Sequence, residues 1–416
     1  MQLKTFFLAD DENTPIFLPL IFNFLLNIAG FGLFLPALGL SFSTNPLPFS
    51  YNSTGLSFLF FLAEFIALFG LGQFVGLVLI KKFLPSRSIR ALILSTTIVS
   101  FLGYVMISGA FFSQKWSFLL LGRFLTGLGA GNTKLCLRLS WDLHPEKSHP
   151  HLLSYLMGIS AISFLIGPWF GMKLLNPDWL GWSTPSTFFA FFYALNLLFL
   201  FVRLPHTKSF REKASPIKEV LMELLTLLAF FRCHKLFWLF ILFLGGWVTF
   251  LISFPALVLQ KWQVDWSSLC DLYAYFAASW LLGTLFIFPE LKGKISSSLL
   301  VNLGLWVLAS SVLLCFLVPY LYWYWLLIPL CSIAASFLWS YIGEIGNFGF
   351  FKEVEGRILW IFLLIFSLVL LLIPITTGWL LQFNVIYPLI FSNLQFLLLA
   401  LVGSTILKQI KKPPLG

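Results

Sequence analysis

Long apolar runs separated by short polar stretches dominate the chain. Runs of spanning length fall near residues 15–40, 55–80, 89–112, 116–138, 152–175 and 185–203, the sixth being the shortest. After a charged stretch over 203–235, further runs fall near 236–259, 267–289, 296–318, 320–342, 357–380 and 386–408. A helix needs about 20 mostly apolar residues to cross a hydrocarbon core. No run alternates polar and apolar residues as a barrel strand does, and a backbone facing lipid must satisfy its own hydrogen bonds, so helices are expected. The pattern therefore predicts an all-α membrane protein of twelve transmembrane helices in two six-helix bundles. Residues 1–203 form the first bundle, 204–235 an amphipathic linker too short to be a domain, and 236–416 the second.

Composition agrees with this layout. Hydrophobic residues make up 59% of 416 and charged residues only 10%, and twelve crossings at about 20 residues each account for roughly that apolar total. Little is left for a separate soluble domain. The 50 phenylalanines read as lipid-facing filler, whereas the 16 tryptophans and 11 tyrosines suit the membrane interface. Asp10, Asp11 and Glu12 precede the first run, a poor match to a removable signal peptide. The five cysteines, Cys136, Cys233, Cys270, Cys315 and Cys331, show no Cys-x-x-Cys spacing, so no disulfide framework or zinc site is expected.

Basic residues assign the sides. Lys4, Lys81, Lys82, Arg87, Arg90, Arg138 and Lys147 all fall on the side that holds both termini. Arg203, Lys208, Arg211, Lys213, Lys218, Arg232, Lys235, Lys292, Lys294, Lys352, Arg357, Lys408, Lys411 and Lys412 join them, giving 21 of the 26. Such a bias predicts cytoplasmic termini in an inner or plasma membrane. A net charge of +10 spread over short loops suits anionic headgroups, not nucleic acid.

Two halves suggest a duplication, and matching segments support it. The first run carries Pro36-Ala37-Leu38-Gly39-Leu40 and the seventh Pro255-Ala256-Leu257-Val258-Leu259, while Gly70 and Lys81 of the second align with Gly283 and Lys294 of the eighth. In repeat carriers the solute site lies between the halves near mid-membrane.

On this layout the chain resembles the major facilitator superfamily. Arg123-Phe124-Leu125-Thr126-Gly127-Leu128-Gly129-Ala130-Gly131-Asn132 is similar to the family's Arg-x-x-x-Gly-x-Gly-x-Gly stretch, and Gly167-Pro168-Trp169-Phe170-Gly171 resembles the Gly-Pro-x-x-Gly signature of its drug and proton antiporters. Glu355-Gly356-Arg357 and Pro374-Ile375-Thr376-Thr377-Gly378 form a looser echo. The loop after the second run departs from the family pattern. It keeps Lys81, Lys82, Arg87 and Arg90 but lacks the acidic residue and the loop glycine. The resemblance implies a monomeric secondary transporter with no cofactor, moving a small-molecule solute by alternating access, with protons as the coupling ion and efflux as the direction. An uptake carrier or facilitator for a nutrient such as an amino acid or nucleoside is the alternative.

Charges at membrane depth are functional candidates. Glu64 in the second run and Arg123 in the fourth sit at similar depth and can pair, either as a proton-coupling site or as a static ion pair. At the inner ends, Asp142 with Arg87 or Lys81, and Glu344 with Lys292 or Lys294, read as gating charges or as solvated surface pairs. Asn23 and Asn27, four residues apart on one helix face, suit either a solute cavity or interhelical amide bonding, with Trp247 as a facing aromatic wall. Gly127, Gly131, Gly167 and Gly171 allow close helix packing, and Pro168 is expected to bend its helix. His144, His149, His151, His206 and His234 fall in loops and read as surface residues, so no metal site is expected. The Asn52-Ser53-Thr54 sequon reads as a chance match. With no nucleophile and base grouping or phosphate loop, an enzyme is not expected, and no filter-like segment suggests a channel.

Overall fold

The computed structural model describes residues 14–34, 55–83, 88–142, 149–174, 181–204, 231–264, 266–345 and 355–410. Among them, helices occupy all twelve predicted positions and no strand is present. They are α1 (Thr14–Gly32), α2 (Gly55–Phe83), α3 (Ile89–Ser113), α4 (Trp116–Ala130 and Thr133–Asp142), α5 (His149–Leu174) and α6 (Thr184–Arg203). The second half holds α7 (Phe231–Trp262), α8 (Trp266–Leu282, a π-helical turn Gly283–Ile287, and Phe288–Lys292), α9 (Ser297–Leu317), α10 (Tyr324–Ile345), α11 (Glu355–Phe383) and α12 (Ile386–Ile410). Nine described stretches are each long and apolar enough to cross a membrane alone. The expected linker lies outside the described residues over 205–230, and the sequon and His144 lie outside them too.

Two expected helices are interrupted. In α4 the chain turns at Gly131 and Asn132, whose backbone N–H groups donate to Leu128 and Gly129 in short three-residue steps, and the helix restarts when Cys136 N–H donates to Asn132. The break turns Asn132 into a buried hub. In α8 the π-helical turn begins at Gly283, where an added Cβ would overlap the Ser336 hydroxyl of α10.

The halves repeat one packing plan. In the first, α1 packs on α5 and α6, α4 on α2 and α3, and α3 on α6. The second half has the counterparts, α7 on α11 and α12, α10 on α8 and α9, and α9 on α12. Between the halves, α2 packs along α11 and α5 along α8, pairs that a half-turn of the repeat exchanges. The duplication read from Pro-Ala-Leu-x-Leu thus extends to which helices touch.

Glycines set the approach distances. A Cβ at Gly127 would collide with the Phe69 carbonyl, one at Gly72 with that of Phe124, and one at Gly76 with that of Leu128, so α2 and α4 meet backbone to backbone. Gly131 sits against Gly76 in the same seam. Likewise Gly167 and Gly171 of α5 lie on the carbonyls of Ala29, in the last turn of parallel α1, and Leu33, just past its end. Lipid tails are as apolar as leucine, so such close van der Waals contact drives association in a membrane. Pro168 stands between those glycines, buried, and α5 continues through it.

Phenylalanine does not serve lipid alone. Phe112, Phe191, Phe201, Phe286 and Phe383 are exposed, as filler should be, but Phe31, Phe34, Phe65 and Phe69 are buried in the core. Near the α9–α10 turn, Lys261 Nζ donates to the carbonyls of Phe316 (3.1 Å) and Val318 (2.8 Å), completing the C-terminal end of α9.

Candidate functional site

Arg123 is fully buried. Its Nη1 donates to the Gly30 carbonyl (2.8 Å) and its Nη2 to that of Phe31 (3.0 Å). Both carbonyls belong to the last turn of α1, where helix carbonyls lack intrahelical donors and the helix dipole is negative. The rings of Phe69, Phe34 and Phe65 lie 4.7, 5.2 and 5.3 Å from the guanidinium carbon. A helix end and three π faces thus compensate the charge. The expected pairing with Glu64 is corrected here. Arg123's partners are on α1, and no ion pair joins it to half-buried Glu64 among the described residues. Adjacent positions on α2 point about 100° apart, so the helix that turns Phe65 and Phe69 onto the guanidinium turns Glu64 aside.

Below Arg123 runs a buried polar network. Tyr104 stacks on Tyr193 at 5.3 Å, and Tyr193 OH donates to Asn27 Oδ1 (2.9 Å). Asn132 Oδ1 accepts from Asn27 (2.7 Å) and Asn23 (3.0 Å), while its amide donates to the hydroxyls of Thr96 (2.9 Å) and Thr97 (3.3 Å). Asn196 donates to Asn23 Oδ1 (3.1 Å), and Cys136 accepts from the Asn23 amide (3.2 Å). Asn23 and Asn27 therefore direct their bonds in this conformation to α3, α4 and α6. Asn132→Leu removes four bonds between helices, each worth roughly 0.6 kcal/mol in a membrane. The expected loss is about 2 kcal/mol, seen as a lower melting temperature of the solubilised protein.

In the second half, Phe243, Trp247, Phe250 and Phe254 recur at helical spacing on α7. Trp247 is the largest of its fully buried side chains, with the Trp280 ring centroid at 4.6 Å and that of Phe276 at 5.1 Å. Trp339 of α10 adjoins the group, 6.3 Å from Trp280 and 6.4 Å from Phe243. It also crosses between the halves, its Nε1 donating to Ser160 Oγ of α5 (3.2 Å). Nearby, Gly158 of α5 lies against Leu285, and Phe17, Ile21, Phe24 and Ile159 cluster with Leu363 of α11. These contacts fall at mid-depth or toward the end of the bundle where α1 begins and α12 finishes.

The proposed gating charges are only partly visible. Arg87 and the side chains of Asp142 and Glu344 lie outside the described residues. Lys81 and Lys292 sit in the last turns of α2 and α8. Lys294 pairs with exposed Glu290 one turn away (2.8 Å), a hydrogen bond that raises the lysine's pKa.

The sequence motif of α4 includes Asn132 without its role as a hub, and sequence reasoning missed Tyr193, Trp280 and Trp339. The α7 aromatic spacing and the stripe of Ser332, Ser336 and Ser340 at four-residue intervals were the available signals. Neither names a partner helix.

Residues 20–374 match the model of the Major Facilitator Superfamily. The fold resembles the human organic anion transporter MFSD10 (TETRAN), with a TM-score of 0.69 at 16% identity, covering 94% of this chain and 99% of that one. It also resembles the POT family transporter PepTSo, with a TM-score of 0.67 at 12% identity, covering 95% and 98%. No curated protein sequence matches the chain.

Proposed function

The chain belongs to the major facilitator superfamily, and from that premise we propose a secondary transporter that expels a small solute in exchange for protons by rocking its two halves. The single observation that carries the rocking is the repeated packing plan, joined across the middle by the exchange-related pairs α2 with α11 and α5 with α8. Each half is internally bonded, the first through Asn132 and Arg123, and so suits a rigid body. The named contacts between halves, Trp339 with Ser160, Gly158 with Leu285 and the Phe17 cluster with Leu363, lie at mid-depth or toward the end bearing the termini. With that end cytoplasmic, as the basic residues suggest, this conformation is closed to the cytoplasm.

Glu64 is the candidate proton carrier. Of the described carboxylates it lies farthest from its helix ends, and its neighbours Phe65 and Phe69 wall the Arg123 guanidinium. A charge at membrane depth is costly, so gain or loss of a proton on such a carboxylate biases one arrangement over the other. The packing of Gly167 and Gly171 on α1 is consistent with the antiporter-like signature.

Paired spin labels at positions 113 and 263, the outer ends of α3 and α7, test the reading in a cysteine-free background. Two distance populations are expected, with a ratio that shifts between acidic and neutral pH. Glu64→Gln is expected to remove the pH response while keeping both populations. One population at every pH would sink the rocking reading, and an unchanged response in the variant would sink the role of Glu64. Flux in right-side-out against inverted vesicles separates efflux from the uptake alternative.

A further inference from the structure

We propose that the tryptophan wall of α7, α8 and α10 binds an uncharged planar aromatic solute that carries a hydrogen-bond acceptor, a carbonyl or ring nitrogen. Trp247 and Trp280 are 1% and 4% exposed, yet the indole N–H of each has no partner. Buried donors are nearly always satisfied. Of the twelve unpartnered buried polar atoms among the described residues, five sit on these three helices, the others being Thr284 Oγ1, Ser332 Oγ and Ser340 Oγ. The demand for an external partner is therefore concentrated on the helices that carry the rings.

The rings define the rest of the ligand. Trp247 and Trp280 meet at 52° with centroids 4.6 Å apart, and Phe243, Phe250 and Phe276 surround Trp247. Such faces favour a flat aromatic partner. An anion would meet the negative faces of the π systems, and among the described residues no cation lies over the rings of Trp247 or Trp280. A cation suits the faces but offers no acceptor to the indole donors. Thr284 lies in the π-helical turn just beyond Trp280, a distortion frequently found at functional sites. Trp339, partly exposed and tied to Ser160, puts the edge of the wall at the junction of the halves.

The assignment rests on the transporter reading only for the ligand's passage, so binding is tested without transport. Equilibrium dialysis of purified protein against 7-methoxycoumarin, which is neutral and flat and bears a lactone carbonyl, is expected to give saturable binding. Naphthalene, which lacks the acceptor, is expected to bind at least about five-fold more weakly, the worth of one neutral hydrogen bond, and coumarin-3-carboxylate, which keeps the acceptor but must bring its charge against the π faces, is expected to bind more weakly too. Trp247→Phe and Trp280→Phe keep a ring and remove the N–H, and each is expected to weaken coumarin binding about five-fold. Equal binding of naphthalene, tighter binding of the carboxylate, unchanged affinity in both variants, or no saturable binding by the native chain would each overturn the proposal. If a variant misfolds, the ligand comparison on the native chain still decides. Absent coumarin binding with two spin-label populations removes this ligand class and leaves the transporter. Coumarin binding with a single population does the reverse.

Discussion

Arg123→Leu is expected to destabilise the first bundle by about 2–6 kcal/mol, because two buried carbonyls lose their donors at about 1–3 kcal/mol each. Those carbonyls, of Gly30 and Phe31, finish α1, and leucine has nothing to offer them. Three phenylalanine faces lose their cation as well. Arg123→Lys is expected to fall between, since a single ammonium cannot reproduce the planar fork that reaches both oxygens. The measurement is the melting temperature of the detergent-solubilised protein, with monodispersity as a second readout. A leucine variant that melts with the native protein would show that the guanidinium is not what secures the end of α1.

Gly127→Val is expected to cost at least about 3 kcal/mol, the upper range for overpacking a filled contact. Its added carbons have no room, since even one Cβ would overlap the Phe69 carbonyl, and a backbone carbonyl cannot swing aside as a side chain can. Nor can α2 retreat, because Gly72 and Gly76 hold it on α4 from the other side while Gly70 lies on the Leu370–Leu371 backbone of α11, 2.5 Å from where its Cβ would be. Separation of α2 from α4 would also loosen the Phe65 and Phe69 wall around Arg123. Gly109→Ala is the control, since nothing lies within 4 Å of its added Cβ. Alanine there is expected to be neutral or slightly stabilising, as a glycine inside a helix costs up to about 1 kcal/mol relative to alanine. Equal melting temperatures for Gly127→Val and Gly109→Ala would refute the close-approach account.

The two substitutions mark where sequence reading succeeded and where it stopped. Gly127, Gly131, Gly167 and Gly171 were legible as packing residues because small residues four apart share a helix face, and the structure gives each a backbone to lie on. Arg123 was legible as a deep charge, but its partner was not. Depth along two helices put Glu64 beside it, while the rotation of α2 put Phe65 and Phe69 there instead. Asn23 and Asn27 were recognisable as one polar face, yet nothing local says that Asn132 rises to meet them from a break in α4. Composition treated phenylalanine as one population, whereas neighbouring helices divide it between lipid and core.

By itself the sequence determined the number of helices, their approximate limits, the division into two halves and the family. Each of these follows from the thickness of the bilayer and the hydrophobicity of one segment at a time, properties that need no partner to be defined. Only the tertiary structure decided that a helix end holds the buried arginine, that the asparagines tie one half together, and that three tryptophans from separate helices form one wall. Such meetings depend on the rotation and register of each helix against its neighbours, and the close approaches of glycine to backbone fix both at once.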